Sequence, residues 1–267
     1  MNNEIGVAGW LFSQQILRQQ SMTLLDLPAV CAAQGMKTVE LCSKFFASQE
    51  TGYLNEVRQK LEDCGQSVRS IAVDMGNIAG ADPAVRRTDL EGLKQWFYAA
   101  AAIGSQAIRI NTGSAEDGGV LMRVIDGYSE LSEVGAQTGI KLLVENHGGV
   151  SARSAGLQQI LDGVPSEWFG TCPDTGNFET DDWEQGMQTL APRAFSCHVK
   201  VFTCSADGWQ KWEDRGGNER GYDLKKSLAI LREAGYEGPL CIEKGPSAEP
   251  QAAMVETAAY LRELLAD

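Results

Sequence analysis

The chain has 267 residues, 36 acidic against 23 basic side chains and a net charge of −13. That length suits one α/β domain with a sizeable core. No apolar run approaches the roughly 18 residues that would cross a bilayer, and the acidity argues against a nucleic-acid partner, which needs a positive surface. The opening MNNEIGVAGWLFSQQ holds no basic segment followed by an apolar stretch, so no secretory signal is expected. Seven cysteines, odd in number and without a CxxC pair, read as reduced thiols of a cytoplasmic protein.

Short apolar runs alternate with longer helical patterns from end to end. Strands are expected at 5–8, 38–41, 68–73, 107–110, 141–145, 169–173, 194–199 and 239–243. Helical periodicity covers 54–64, 90–103, 121–139, 224–234 and 252–265, with Gly235 as a stop for the fourth of these. Eight βα units are the count of a (β/α)₈ barrel, expected here as a single domain over 1–267. A doubly wound sheet would need a glycine-rich turn after its first strand, and GVAGW is a weak match. Residues 202–223 read as one long connection on the face where barrel sites form, with Trp209 and Trp212 offering an apolar wall to a ligand.

Four strand ends in the second half carry metal-type ligands. LLVENHGG ends in Glu145 and His147, CPDTGNF in Asp174 and Asn177, SCHVK in His198 and Lys200, and CIEKGP in Glu243 and Lys244. At the tips of successive barrel strands, Glu145, Asp174, His198 and Glu243 would converge on one point. Mostly oxygen donors with one imidazole suit a single divalent ion, Mn²⁺ first, with Mg²⁺, Co²⁺ and Zn²⁺ also compatible. Strand alternation supports the convergence, because Leu143, Cys172, Ser196 and Cys241 share faces with these four and are mostly small. The histidines number only two, which excludes a His-rich metal cage.

VENHGG, PDTGNF, CHVK and the final AGYEGPLCIE resemble the sugar phosphate isomerase/epimerase superfamily of xylose isomerase-like TIM barrels. The resemblance implies that Glu145, Asp174, His198 and Glu243 bind one divalent metal. It also implies that Glu145 and Glu243 act as an acid/base pair on opposite faces of a keto-sugar, through a metal-stabilised enediolate. Lys200 would add a cation for the oxyanion. The sequence departs from the pattern at Asn177, where some epimerases have His, and at Asn146-His147, where Pro is common. His147 is therefore a candidate general base, as in dehydratases or lyases of the fold. That gives a second reading, dehydration of an inosose-like or 3-keto-sugar substrate.

Arg109 reads either as a clamp on a substrate anion or as half of an ion pair. Trp10 and Asn177 are further substrate-binding candidates. Lys44, Arg109, Lys200 and Lys244, if they line the mouth, would meet a polar or anionic substrate. The expected partner is a small sugar or polyol derivative, without nucleic acid or membrane; homo-oligomers are common among such barrels.

Overall fold

The computed structural model describes residues 3–115, 117–214, 216–245 and 247–266. Eight parallel strands form the barrel: β1 (Ile5–Ala8), β2 (Thr38–Cys42), β3 (Ser67–Val73), β4 (Ala107–Ile110), β5 (Lys141–Glu145), β6 (Phe169–Cys172), β7 (Cys197–Val199) and β10 (Leu240–Ile242). Their order is β6-β5-β4-β3-β2-β1-β10-β7. The seam between β6 and β7 is spanned by isolated bridges, Thr171 to Ala194 and Asp174 to His198. Residues 194–196 were expected to be strand, and this seam explains why β7 begins only at Cys197: they meet a neighbour at a single bridge.

Both faces of these strands are covered, so they read as apolar runs rather than alternating ones. Val39, Leu41, Ile71, Val73, Ile108, Leu142 and Val144 join the main core with the helices. Ala107, Leu143 and Cys172 pack separately, against Phe195, inside the barrel. Arg69 lies over the Phe195 ring at 3.7 Å and donates to its carbonyl.

The helices are α1 (Leu27–Ala33), α2 (Thr51–Asp63), α3 (Pro83–Ile103), α4 (Val120–Thr138), α5 (Ser154–Gly163), α6 (Trp183–Leu190), α7 (Leu224–Glu233) and α8 (Pro250–Ala266). Helix α3 begins seven residues before the apolar pattern that announced it. Its first turns are polar, and the start is set by Asp82, whose carboxylate accepts from the Ala84 and Val85 amides, with Pro83 in the first turn. Leu90, Leu93, Trp96, Phe97 and Ala100 then face the barrel. No described helix is long and apolar enough to cross a membrane, and all seven cysteines are free.

The stretch 202–223 is not the open connection expected. It contains an antiparallel hairpin of β8 (Trp209–Glu213) and β9 (Glu219–Asp223). In WQKWE the two tryptophans stand three residues apart and the buried position is the polar Gln210, so no period of two announced the strand. Trp212 stacks on Phe202 with ring centroids 4.1 Å apart.

After β5 the chain turns through a short 3₁₀ segment, Gly149–Ser151, before α5. Gly149 has φ 55, and a Cβ there would stand 2.8 Å from the Gly113 carbonyl. A Cβ on Gly156 would fall on the Val150 carbonyl oxygen, so α5 and this turn touch backbone to backbone. Gly156→Ala is expected to cost about 1–3 kcal/mol by overpacking. The measurement is the urea midpoint at constant slope; an unchanged midpoint would show that the turn yields freely.

Candidate metal and substrate site

The C-terminal strand tips meet as the alternation requires, and His198 stands at their centre. Its Nδ1 lies 3.2 Å from Glu145 Oε1 and 3.8 Å from Asp174 Oδ2. Ligand atoms of Glu145, Asp174 and His198 all lie within 4.8 Å of one another. Asn146 fixes two of these tips, accepting from the Asp174 amide at 2.8 Å and donating to the Asp174 carbonyl at 2.9 Å.

Glu243 follows β10, and its amide donates to the Val199 carbonyl. Its side chain reaches the cluster through Lys200, whose Nζ lies 2.6 Å from Asp174 Oδ2 and 2.8 Å from Glu243 Oε2. Lys200 also donates to Asn177 Oδ1 at 2.6 Å, while Asn177 Nδ2 donates to Glu145 at 3.2 Å. Asn177 thus joins Glu145 to Lys200. The hairpin supports this corner: Tyr222 of β9 is hydrogen-bonded to Thr175 and to the Lys200 carbonyl.

Glu40, at the tip of β2, was not singled out from the sequence, yet it completes the centre. Both its oxygens lie within 3.0 Å of His198 Nε2, and it accepts from Ser70. The available signal was a carboxylate inside the apolar run TVELC. Asp74 is the second such residue, just past β3 and 2.6 Å from Arg109 Nη1. Arg109 is buried, and its Nε approaches Glu145 Oε2 to 2.9 Å, though not along a hydrogen-bond direction.

Charge decides what this cluster can hold. Five carboxylates (Glu40, Asp74, Glu145, Asp174 and Glu243) surround two fixed cations, Arg109 and Lys200. Burial opposes ionisation of Glu145, but Arg109 and His198 hold its carboxyl well below the usual range. Burial, reinforced by Glu243 and Glu145, pushes the Asp174 carboxyl up to about 7 against the pull of Lys200. For His198, burial favours the neutral ring, and the Cys172 sulfur together with the Glu40 and Glu145 carboxylates outweighs it and raises its pKa. Oε2 of Glu145 and of Glu243 are buried without an aligned hydrogen-bond donor among the described residues. An excess of buried negative charge, with two carboxylate oxygens whose cationic neighbours are not aligned as donors, fits a divalent cation.

A cavity of about 480 Å³ opens above this cluster, a size ordinary for small-molecule sites. Trp10, Glu40, Asp74, Arg109, His147 and Glu243 are on its walls. Of the residues expected to act on substrate, Trp10, Arg109, His147 and Glu243 therefore face it. Glu145, with a side chain 1 % exposed, lies behind the wall, and the half-buried Asn177 and Lys200 are not on it. Trp209 and Trp212 are not on the cavity wall; they belong to the hairpin.

An eight-stranded parallel barrel with its polar cluster at the C-terminal tips is the architecture of TIM-barrel enzymes. A profile of the xylose isomerase-like TIM barrel family matches residues 28–264, and the chain belongs to that family. Comparison with curated proteins finds no match. Among solved structures, the chain is similar to an L-ribulose 3-epimerase at 18 % identity and TM-score 0.77, over 98 % of this chain and 94 % of that one. It is similar to 3-keto-D-glucoside 4-epimerase from E. coli at 17 % identity and TM-score 0.74, over 98 % and 100 %. A xylose isomerase-like TIM barrel protein from Mycobacterium smegmatis in complex with magnesium aligns at 15 % identity and TM-score 0.72, over 98 % and 97 %. At such identities these likenesses establish the shared fold.

Proposed function

We propose that the protein is a divalent-metal-dependent epimerase or isomerase of a keto-sugar or related polyhydroxy ketone. The carrying observation is the excess of carboxylates over cations around His198, open to a cavity whose wall holds both Glu243 and His147. The fold neighbours described as ketose 3-epimerases and a keto-glucoside epimerase support the substrate class.

Glu145, Asp174 and His198, with Glu243 beside them, would hold the ion. A divalent cation there would supply electrostatic stabilisation to the oxyanion that develops when a proton leaves the carbon next to a carbonyl. The protein's own groups move the proton. In the barrel order, closed at its seam, β5 and β10 are three strands apart one way and five the other, so their tips oppose each other across the mouth. Glu243 from the β10 side and His147 from the β5 side thus address opposite faces of a planar intermediate. This assignment departs from the two-glutamate pair implied by the resemblance, because the Glu145 carboxylate is taken up by His198, Asn177 and Arg109.

The deciding experiment incubates manganese-loaded protein with a ketose panel in D₂O. Deuterium at the carbon beside the carbonyl, hydroxyl retained, is the expected result; loss of water would replace this reading with dehydration. Chelation should abolish exchange, and activity that survives full metal removal would overturn the metal's role. His147→Gln should lose exchange while still binding metal, whereas Glu145→Gln should lose metal affinity and recover in part with excess manganese. The reverse pattern would restore the two-glutamate pair.

Metal binding should also depend on pH. The raised pKa values of Asp174 and His198 mean that the folded metal-free chain holds protons more tightly than the unfolded chain. Their contribution to stability is present at low pH and fades as pH rises through the folded-state values. An ion that takes the protons' place therefore stabilises more at higher pH. The rise in Tm on adding manganese is expected to be larger at pH 8 than at pH 6, values either side of the Asp174 carboxyl at about 7. An equal rise at both would show that these two groups are not displaced by the ion.

A further inference from the structure

Of the four cations near the strand tips, the structure commits two to carboxylates: Arg109 to Asp74 and Glu145, and Lys200 to Asp174 and Glu243. Lys244 is not on the cavity wall. Lys44 differs from all three. It follows β2 in the short turn Ser43–Phe45, is solvent-exposed, and lines the cavity. Among the described residues it makes no ion pair; its recorded partner is the ring of Trp10, whose centroid lies 5.3 Å from Nζ. Trp10 is itself stacked on buried Phe45, with ring planes 4° apart. The ammonium is thus braced by an aromatic platform while its hydrogen-bonding capacity is left for a ligand.

Its place in the barrel is equally informative. Counting round the closed barrel, β2 stands four strands from β6 in either direction, so Lys44 faces the Asp174 tip across the mouth. A sugar with its reacting carbons at the carboxylate cluster would extend its far end toward Lys44. Between the two, Asn111 lines the wall with a buried Oδ1 that has no hydrogen-bond partner among the described residues and could accept from a sugar hydroxyl.

We propose that Lys44, held by Trp10, is a specificity-determining residue that binds an anionic group, carboxylate or phosphate, at the end of the substrate remote from the reacting carbons. The substrate class is then a keto-sugar acid or keto-sugar phosphate rather than a neutral ketose. This inference rests on the epimerase or isomerase reading for what happens at the cluster, but recognition of the anion is a separate property of the chain.

The test measures binding of D-fructose, D-fructose 6-phosphate and D-fructuronate to the manganese-loaded protein by titration calorimetry, with deuterium uptake from D₂O followed in parallel. At least one anionic probe should bind about tenfold or more tightly than fructose, in keeping with a hydrogen bond to a charged group. That preference should vanish in Lys44→Gln and persist in Lys44→Arg; the probe that shows it distinguishes phosphate from carboxylate. Equal binding of all three, no binding of either anion, or a preference that survives Lys44→Gln would overturn the inference. Deuterium uptake without charge preference would overturn it while sparing the epimerase reading. Lysine-dependent anion binding without uptake from any probe would support the subsite and count against the epimerase reading.

Discussion

Glu243→Gln is expected to lower deuterium exchange into a ketose substrate by about 10²- to 10⁴-fold, the contribution of a placed general acid or base. The amide keeps the shape of the side chain and removes its capacity to take a proton. Glu243 suits the role because it stands both at the metal cluster, through Lys200, and on the cavity wall, with 14 % of its side chain exposed. Glu145, Asp174 and His198 remain close enough together to retain an ion in the variant. The loss should therefore appear in kcat at saturating manganese. A variant that keeps more than about a tenth of wild-type exchange, less than the smallest loss such a group predicts, would remove Glu243 from proton transfer.

Arg109→Leu should damage the fold rather than the chemistry alone. The Arg109 side chain is 5 % exposed and lies between Asp74 and the deeply buried Glu145. Removing one member of a buried charge cluster leaves its partners uncompensated, at a cost of about 3–5 kcal/mol. Urea unfolding of the metal-free protein measures it, and added manganese should recover part of the loss by supplying positive charge at Glu145. A loss below about 1 kcal/mol, the value of exposed pairs, would mean that water reaches these carboxylates in the native state.

Burial and partner choice also separate what could be read from the sequence from what could not. Glu145, Asp174 and His198 were legible together, because each ends an apolar run in a βα unit and strand alternation sends all three inward. Glu40 carries the same kind of signal in TVELC, yet its partner His198 lies 158 positions away. Nothing local tells a buried carboxylate that orients an imidazole from one that ends a strand. The hairpin within 202–223 was missed for a related reason: its strands bury only Gln210, Gly221 and Tyr222, which make no apolar alternation, so their composition resembles that of a loop.

The order of apolar runs and helical stretches thus determined the barrel, the direction of its strands and the set of tips that form the site, since these follow from periodicities of two and 3.6 residues along one chain. Tertiary structure alone decided how the charges are shared. Barrel closure placed Lys200 between Asp174 and Glu243, turned Arg109 toward Asp74 and Glu145, and left Lys44 over Trp10 facing the cavity. Those pairings depend on distances between side chains that are remote in sequence, and at a few ångströms in a poorly solvated site such distances determine which charge is neutralised and which is free to meet a ligand.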